Sequence, residues 1–325
     1  MLKSTRRRKH RKIAKTALEP RDVSQQTDVL DAETTKMIRA LYRDGENEKQ
    51  LNPQVSIGRC SLNCMAAITF GSPRICVPDA QVLSLSREFM NTTDPMANLV
   101  DFVPVWLQQS LPWGMKRRGK RLHAALVNTY GRQVKRIERD MKNNVHVKDC
   151  LVKTMVTRRE EEQLDDLDMA MLASAFMVGG VETTASIIQW FSALIPSHGH
   201  IQRKAHEELD RVVGRSRLPT LEDKPDLHYC RAIIKEVERC HNPFWLGTPH
   251  VASKDLVCNN KLIPAGSVLI LNTWTMHHDR IRFPDPLSFN VSHLPPRENL
   301  IIRLTTGGSL TVTSTIAILL PSPRG

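Results

Sequence analysis

Paired cysteines are missing from this chain. The seven cysteines stand at positions 60, 64, 76, 150, 230, 240 and 258, an odd number with no Cys-x-x-Cys pair and no Cys/His spacing suited to zinc. This argues against a disulfide framework or a structural zinc site and reads as reduced thiols facing the cytosol. No apolar run follows Met1. The stretch Lys3 to Lys15 is basic, so nothing at this end reads as a signal or a membrane anchor. Aromatic residues make up only 5% of the chain. None interleaves the RRRKHRK segment, so the base-stacking positions of nucleic-acid binders are absent there and a nucleic-acid partner is not expected. Internal repeats are absent as well.

Negative charge is the scarcer sign: 34 Asp and Glu stand against 46 Lys and Arg, a formal net charge of +12. Such an excess favours an acidic partner, whether nucleic acid, an anionic membrane surface or an electron-carrying protein, without choosing among them. The 325 residues, 41% of them hydrophobic, suffice for one large core or two modest ones. The longest apolar stretch, Met169 to Ile195, has the length of a membrane span. Glu182, Thr183 and Thr184 at its centre would be costly in lipid, which favours a buried helix with a polar middle.

The hydrophobic periods predict a basic helix ending at Pro20, with Ile13, Ala14 and Leu18 as a narrow apolar stripe on an otherwise solvated face. An amphipathic helix follows from Asp28 to Tyr42. A buried helix from Val55 to Phe70 ends at the turn signal GSPR. Pro104, Pro112 and Gly114 make the next stretch irregular, and a basic helix runs from Lys116 to Met141. Acidic residues from Glu160 to Asp168 suit the N-terminus of a long central helix, Leu164 to Ile195. Two further helices, Ile201 to Val213 and Leu227 to Cys240, are followed by short strands at Lys261 to Ile263 and Val268 to Leu271 around a PAG turn. PDPLSFN reads as an irregular loop.

Chemistry concentrates first in GGVETT, Gly179 to Thr184, inside the central helix. Glycine costs about 1 kcal/mol against alanine in a helix interior, so two in succession want a reason. One is close approach of a flat ligand to the bared backbone, with the neighbouring Glu and Thr donating protons or hydrogen bonds to a small molecule. The other is a glycine-kinked core helix with a solvent-facing Glu. Farther on, EVER places Glu236 and Arg239 three apart on one helix face, where they can pair. His277, His278 and Asp279 do not read as a metal site, because adjacent side chains point in different directions.

Taken in order with LGTPH, IPAGS, NTWTMHHD and FPDPLSFN, these segments resemble the cytochrome P450 superfamily, especially its fungal multi-substrate type, from about Arg6 to Asn290. GGVETT is similar to the family's (A/G)Gx(D/E)T(T/S) motif and EVER to its ExxR motif. The resemblance implies a mainly α fold with a long central helix and a small β region, incomplete at both ends. It implies a haem-dependent monooxygenase acting on a small hydrophobic substrate, with electrons from an NADPH-dependent reductase. Glu182 and Thr183 would then be catalytic, relaying protons to iron-bound dioxygen. Gly179 and Gly180 would admit the haem, and Arg11, matching the arginine of WxxxR, and His250 would contact its propionates. Glu236 and Arg239 would be structural. The family is anchored in the endoplasmic reticulum facing the cytosol, an anchor this chain is expected to lack along with the N-terminal sheet.

The pattern also departs from the family. An FxxGxxxCxG loop supplies the family's thiolate ligand to iron, yet residues 290–325 hold no cysteine, and Thr311 or Val312 falls at the ligand position. The expected division is a partial P450-like domain over 1–297 and a non-matching tail over 298–325. Such an abrupt loss of resemblance after about Asn290 is the pattern a frameshift, a missed splice junction or a degenerated gene copy produces. Cys76, in FGSPRIC, imitates the loop but precedes the central helix and reads as an ordinary thiol. Arg7 replaces the tryptophan of WxxxR, and FNVSHL replaces FxPxRF, so His293 stands where an arginine would complete the network of Glu236 and Arg239. That network is expected to be weakened, and sheet edges and apolar surface to be exposed. A non-catalytic remnant of the fold, binding a hydrophobic ligand or a protein partner, is the alternative reading.

Overall fold

The structure, a computed structural model, describes residues 2–17, 26–46, 51–75, 77–93, 114–247, 249–293 and 316–319. Cys76 and the proline-interrupted stretch before Gly114 lie outside the described residues, as do Leu18, Pro20 and all of the tail except 316–319. The fold is mainly α with a small β region, as the periodicity predicts. It divides into two compact units, residues 1–186 and 187–325, with the boundary inside the central helix.

In the first unit the helices are α1 (Leu2–Ala17), α2 (Thr27–Asp44), α3 (Gln54–Phe70), α4 (Asp79–Thr93), α5 (Gly114–Lys142), α6 (Leu151–Thr157) and the greater part of α7 (Asp166–Leu194). Each buries the side its sequence makes apolar. On α5 the buried residues Leu122, Leu126, Tyr130, Val134 and Ile137 recur every three or four positions, and the charged residues take the remaining faces. On α1 Ile13 and Ala17 enter the same core, so this basic helix has a packed side as well as a solvated one. Fully buried Leu, Ile, Val and Met side chains such as Leu62, Val152, Met155 and Met177 each contribute roughly 1.5–3 kcal/mol. The sequence periods leave α4 and α6 unpredicted, although Val82, Leu85 and Phe89 space α4 as a helix whose inner side meets this core.

Local signals set the helix ends. Gly71 closes α3 at φ 73°, a left-handed conformation natural to glycine, and its N–H bonds the Ala67 carbonyl at 2.8 Å. Asp165 and Asp168 bond each other's backbone N–H groups at the start of α7, and buried Asp168 also meets His10 Nε2 of α1 at 2.8 Å. The first turn of the central helix is thereby capped and tied to α1. Residues 166–197 are the one stretch, among those described, long and apolar enough to cross a membrane. Its buried positions from Asp168 to Ala185 lie instead against protein.

The second unit holds the end of α7, α8 (Gly199–Val212), α9 (His228–Cys240), α10 (Thr273–His277) and the short strands. Ile195, Ile201, Ala232, Ile233, Val237 and Val291 form its core. Gly214, at φ 79°, follows α8 and donates to the Leu209 carbonyl, closing that helix where the sequence predicts. Glu208 of α8 receives the backbone N–H groups of Tyr229 and Cys230 at 2.8 Å each. A carboxylate thus sits on the donors that the first turn of α9 leaves unpaired.

Strands β1 (His250–Val251), β4 (Val268–Leu271) and β5 (Ile316–Leu319) form one antiparallel sheet in the order β1-β4-β5, and β2 (Leu256–Cys258) pairs with β3 (Lys261–Ile263) in another. The register Val268↔Leu319 to Leu271↔Ile316 gives β4 a partner from the tail. Exposed apolar side chains remain on the strands, Val251, Val257 and Leu262 among them.

Candidate functional site

The GGVETT residues lie in the first unit, and the structure gives the two glycines different surroundings. A β-carbon built on Gly180 would clash with the Met65 side chain of α3, whereas one on Gly179 would meet nothing within 4 Å. Gly180 therefore permits the close approach of α3 and α7. There the Ser61 hydroxyl donates to the Val181 carbonyl at 2.8 Å and lies 3.4 Å from that of Gly180. Gly179 opens outward beside exposed Ala175 on the previous turn and half-buried Thr183 on the next, leaving a strip of helix with little side-chain cover. The Thr183 hydroxyl donates to the Gly179 carbonyl at 2.7 Å.

Glu182 is half-buried, and burial raises its carboxyl above the ordinary range, opposed in part by Arg87. Arg87 Nε of α4 is 3.9 Å from Glu182 Oε1. An acid raised in this way holds a proton closer to neutral pH and can surrender it, which suits proton delivery. Arg87 escapes the sequence reading because α4 does. Arg11 lies on the exposed side of α1 and makes no ion pair or hydrogen bond among the described residues.

Glu236, Arg239 and His250 lie in the second unit. Glu236 is fully buried and Arg239 nearly so. Arg239 donates through Nε and Nη2 to the two carboxylate oxygens, both at 2.8 Å, in the forked geometry of a strong ion pair. It also donates to the carbonyls of His277, Pro286 and Ser288 at 2.7–2.9 Å, and its guanidinium lies 5.1 Å from the centroid of the Phe283 ring. The Asn290 N–H reaches Glu236 Oε1 at 3.0 Å. The ion pair thus gathers residues 277–290, which have little regular structure of their own, around the end of α9. His293, expected to leave the network weakened, is bonded into it, with Nδ1 3.1 Å from Glu236 Oε1. His250 is exposed on β1 opposite Leu269.

The family model for cytochrome P450 matches residues 1–314. The chain belongs to the cytochrome P450 family. It is similar to flavonoid 3'-monooxygenase from Oryza sativa subsp. japonica, 29% identical over 285 residues, 82% of this chain and 53% of that protein. It is similar to cytochrome P450 monooxygenase 136 from Postia placenta, 30% identical over 291 residues, 86% of this chain and 54% of that protein. A third relative is cytochrome P450 monooxygenase polD from Polytolypa hystricis, 33% identical over 211 residues, 62% of this chain and 39% of that protein. The chain spans about half the length, or less, of these relatives.

A P450 haem asks for an open cradle and an axial thiolate. The bare face at Gly179 meets the first requirement. The second is not met by the described cysteines. Burial raises the Cys150 thiol, pushes Cys240 up to about 11, with nearby Glu236 adding to the effect, and pushes Cys230 up to about 12, with Glu208 adding to it. All three stay protonated at neutral pH. Cys60, lowered by its bond to Cys64, is buried in the core, and Cys258 lies exposed on β2. The family's axial thiolate comes from a loop whose counterpart here, residues 290–325, holds no cysteine.

Proposed function

We propose that this chain is a haem-dependent monooxygenase of the P450 class whose oxygen-activating step is impaired. Its substrate would be a small hydrophobic organic molecule, its electrons would come from an NADPH-dependent reductase, and its setting would be the cytosolic face of the endoplasmic reticulum. The observation that carries the reading is the strip Ala175, Gly179 and Thr183 on α7, open above the helix backbone, with the raised carboxyl of Glu182 beside it. That arrangement offers room for a flat ligand, a hydroxyl and a proton donor together. The impairment rests on the absence of cysteine from residues 290–325. The same absence favours a second reading, a non-catalytic remnant that binds a hydrophobic ligand or a protein partner.

The test is expression of the full chain with a haem precursor, followed by the spectrum of the reduced protein under carbon monoxide. Haem retained without the red-shifted band of thiolate ligation supports an impaired P450. The red-shifted band would overturn the impairment and require a thiolate from elsewhere in the chain. No haem retained favours the non-catalytic reading.

A further inference from the structure

We propose that Cys60 and Cys64 of α3 together form a binding site for a soft monovalent metal ion, cuprous copper, held between their two sulfurs. The two residues stand about one turn apart on the same side of α3, and both are free thiols. Cys60 is only 7% exposed, whereas Cys64 is half-buried and gives the pair an approach from solvent. The Cys64 thiol donates a hydrogen bond to the Cys60 sulfur, and the Thr34 hydroxyl of α2 donates to that sulfur as well. Both bonds lower the Cys60 thiol, while its bond to Cys60, burial and the nearby Glu33 carboxylate raise Cys64. The pair thus holds one sulfur prepared as a thiolate and a second beside it. None of the other cysteines among the described residues is bonded to another cysteine.

Helix geometry favours a metal ion over a disulfide. The β-carbons of residues four apart on an α-helix lie about 5–6 Å from one another, whereas a disulfide draws them to about 3.5–4.5 Å. Closing that bond would break a turn that α3 keeps intact from Gln54 to Phe70. A linear sulfur–metal–sulfur unit, with two bonds of roughly 2.3 Å, sets the sulfurs about 4.6 Å apart and fits the unbroken turn. Zinc asks for four ligands, while thiolate sulfur selects cuprous copper. Uptake of the ion releases two protons and forms two sulfur–copper bonds, with no change of oxidation state, and the centre carries one negative charge. Glu33 beside it carries a second. Two cations stand against them: Lys36, whose Nζ is 2.6 Å from Glu33 Oε1, and Arg74, whose charge also acts on Glu33. Asn63 Nδ2 donates to Glu33 Oε2 at 2.7 Å, so both carboxylate oxygens are engaged and the two sulfurs are the ligands left for the ion. The bound ion clamps the turn of α3 that meets Thr34 of α2.

The experiment is anaerobic titration of the full chain with cuprous ion against a chromogenic cuprous chelator, with circular dichroism to confirm the fold of each variant. Wild type is expected to withhold one ion more than Cys60→Ser or Cys64→Ser, and Cys258→Ser, altered on exposed β2, should match wild type. Cys60→Ala keeps the buried position apolar and takes the place of Cys60→Ser should that chain not fold. The bound ion should raise the urea midpoint of wild type and leave that of the two α3 variants unmoved. Its affinity should fall on acidification, as protons reclaim the sulfurs. Equal copper counts in wild type and the α3 variants would overturn the proposal. So would mild peroxide treatment that joins Cys60 to Cys64 as a disulfide in a chain that holds no additional copper, since the pair would then be a redox couple and not a metal site.

Discussion

The Thr183 hydroxyl donates to the Gly179 carbonyl one turn back along α7, at 2.7 Å. A hydroxyl has one hydrogen, so a ligand lying on the open strip would find Thr183 an acceptor unless that bond first lets go. The two GGVETT glycines therefore have separate tasks, one of them an opening beside a threonine and the other a contact with a neighbouring helix.

Alanine at the two positions should act in opposite directions. Gly179→Ala meets open space and should stabilise the fold by about 1 kcal/mol through helix propensity, at the expense of any flat ligand bound on that face. Gly180→Ala drives a methyl group into Met65, and overpacking should cost about 1–3 kcal/mol unless that flexible side chain yields. Urea unfolding of both variants side by side checks the contrast, and equal effects would show that the glycines are interchangeable.

Glu182 should make stability fall as pH rises. Burial raises its carboxyl in the folded state, so folding takes up a proton there. The contribution is full below the ordinary carboxylate value and is lost as pH climbs through the raised folded value. Glu182→Gln should therefore unfold at the same or a higher urea concentration than wild type at neutral pH, with the difference disappearing in acid. Arg87→Ala removes the opposing positive charge and should raise the carboxyl further, displacing the pH profile of wild type toward alkali.

Breaking the buried ion pair from one side should be severe. Glu236→Ala leaves the Arg239 guanidinium in the interior without its carboxylate, and roughly 3–5 kcal/mol of stability should be lost. Arg239→Lys keeps a charge but forfeits the fork and the reach to three carbonyls, so it should not restore the fold. Thermal unfolding followed by circular dichroism reads both variants. Near-native stability in Glu236→Ala would mean that the backbone carbonyls alone hold the guanidinium.

Glu208 should prove to be a structural cap. Glu208→Ala strips the acceptor from the Tyr229 and Cys230 N–H groups at the start of α9, and a loss of about 1–3 kcal/mol should follow. Faster hydrogen exchange confined to the first turn of α9 is the measurement that separates lost capping from general loosening.

Much of this was legible because it is local. The bounds of α5, α7, α8 and α9 follow apolar spacing and end signals to within a few residues, and the three-residue interval of EVER already placed Glu236 beside Arg239 on one face. The helix α4 carries the same periodic signal in Val82, Leu85 and Phe89, and Arg87 lies on it, but the residue that Arg87 faces is 95 positions farther along the chain. His293 misled for a different reason. In the sequence it is the loss of an arginine, and the two oxygens that make an imidazole serve instead are brought to it by Pro284 and by α9.

The sequence by itself determined the mainly α class, the long central helix with its polar middle, and the family. All three rest on residue types repeated at intervals along a continuous stretch of chain. Tertiary structure decided which glycine faces outward, what stands beside Glu182, what caps α9 and what His293 touches. Those contacts join segments distant in sequence, and they form only where packed helices carry particular atoms to within a few ångströms of one another.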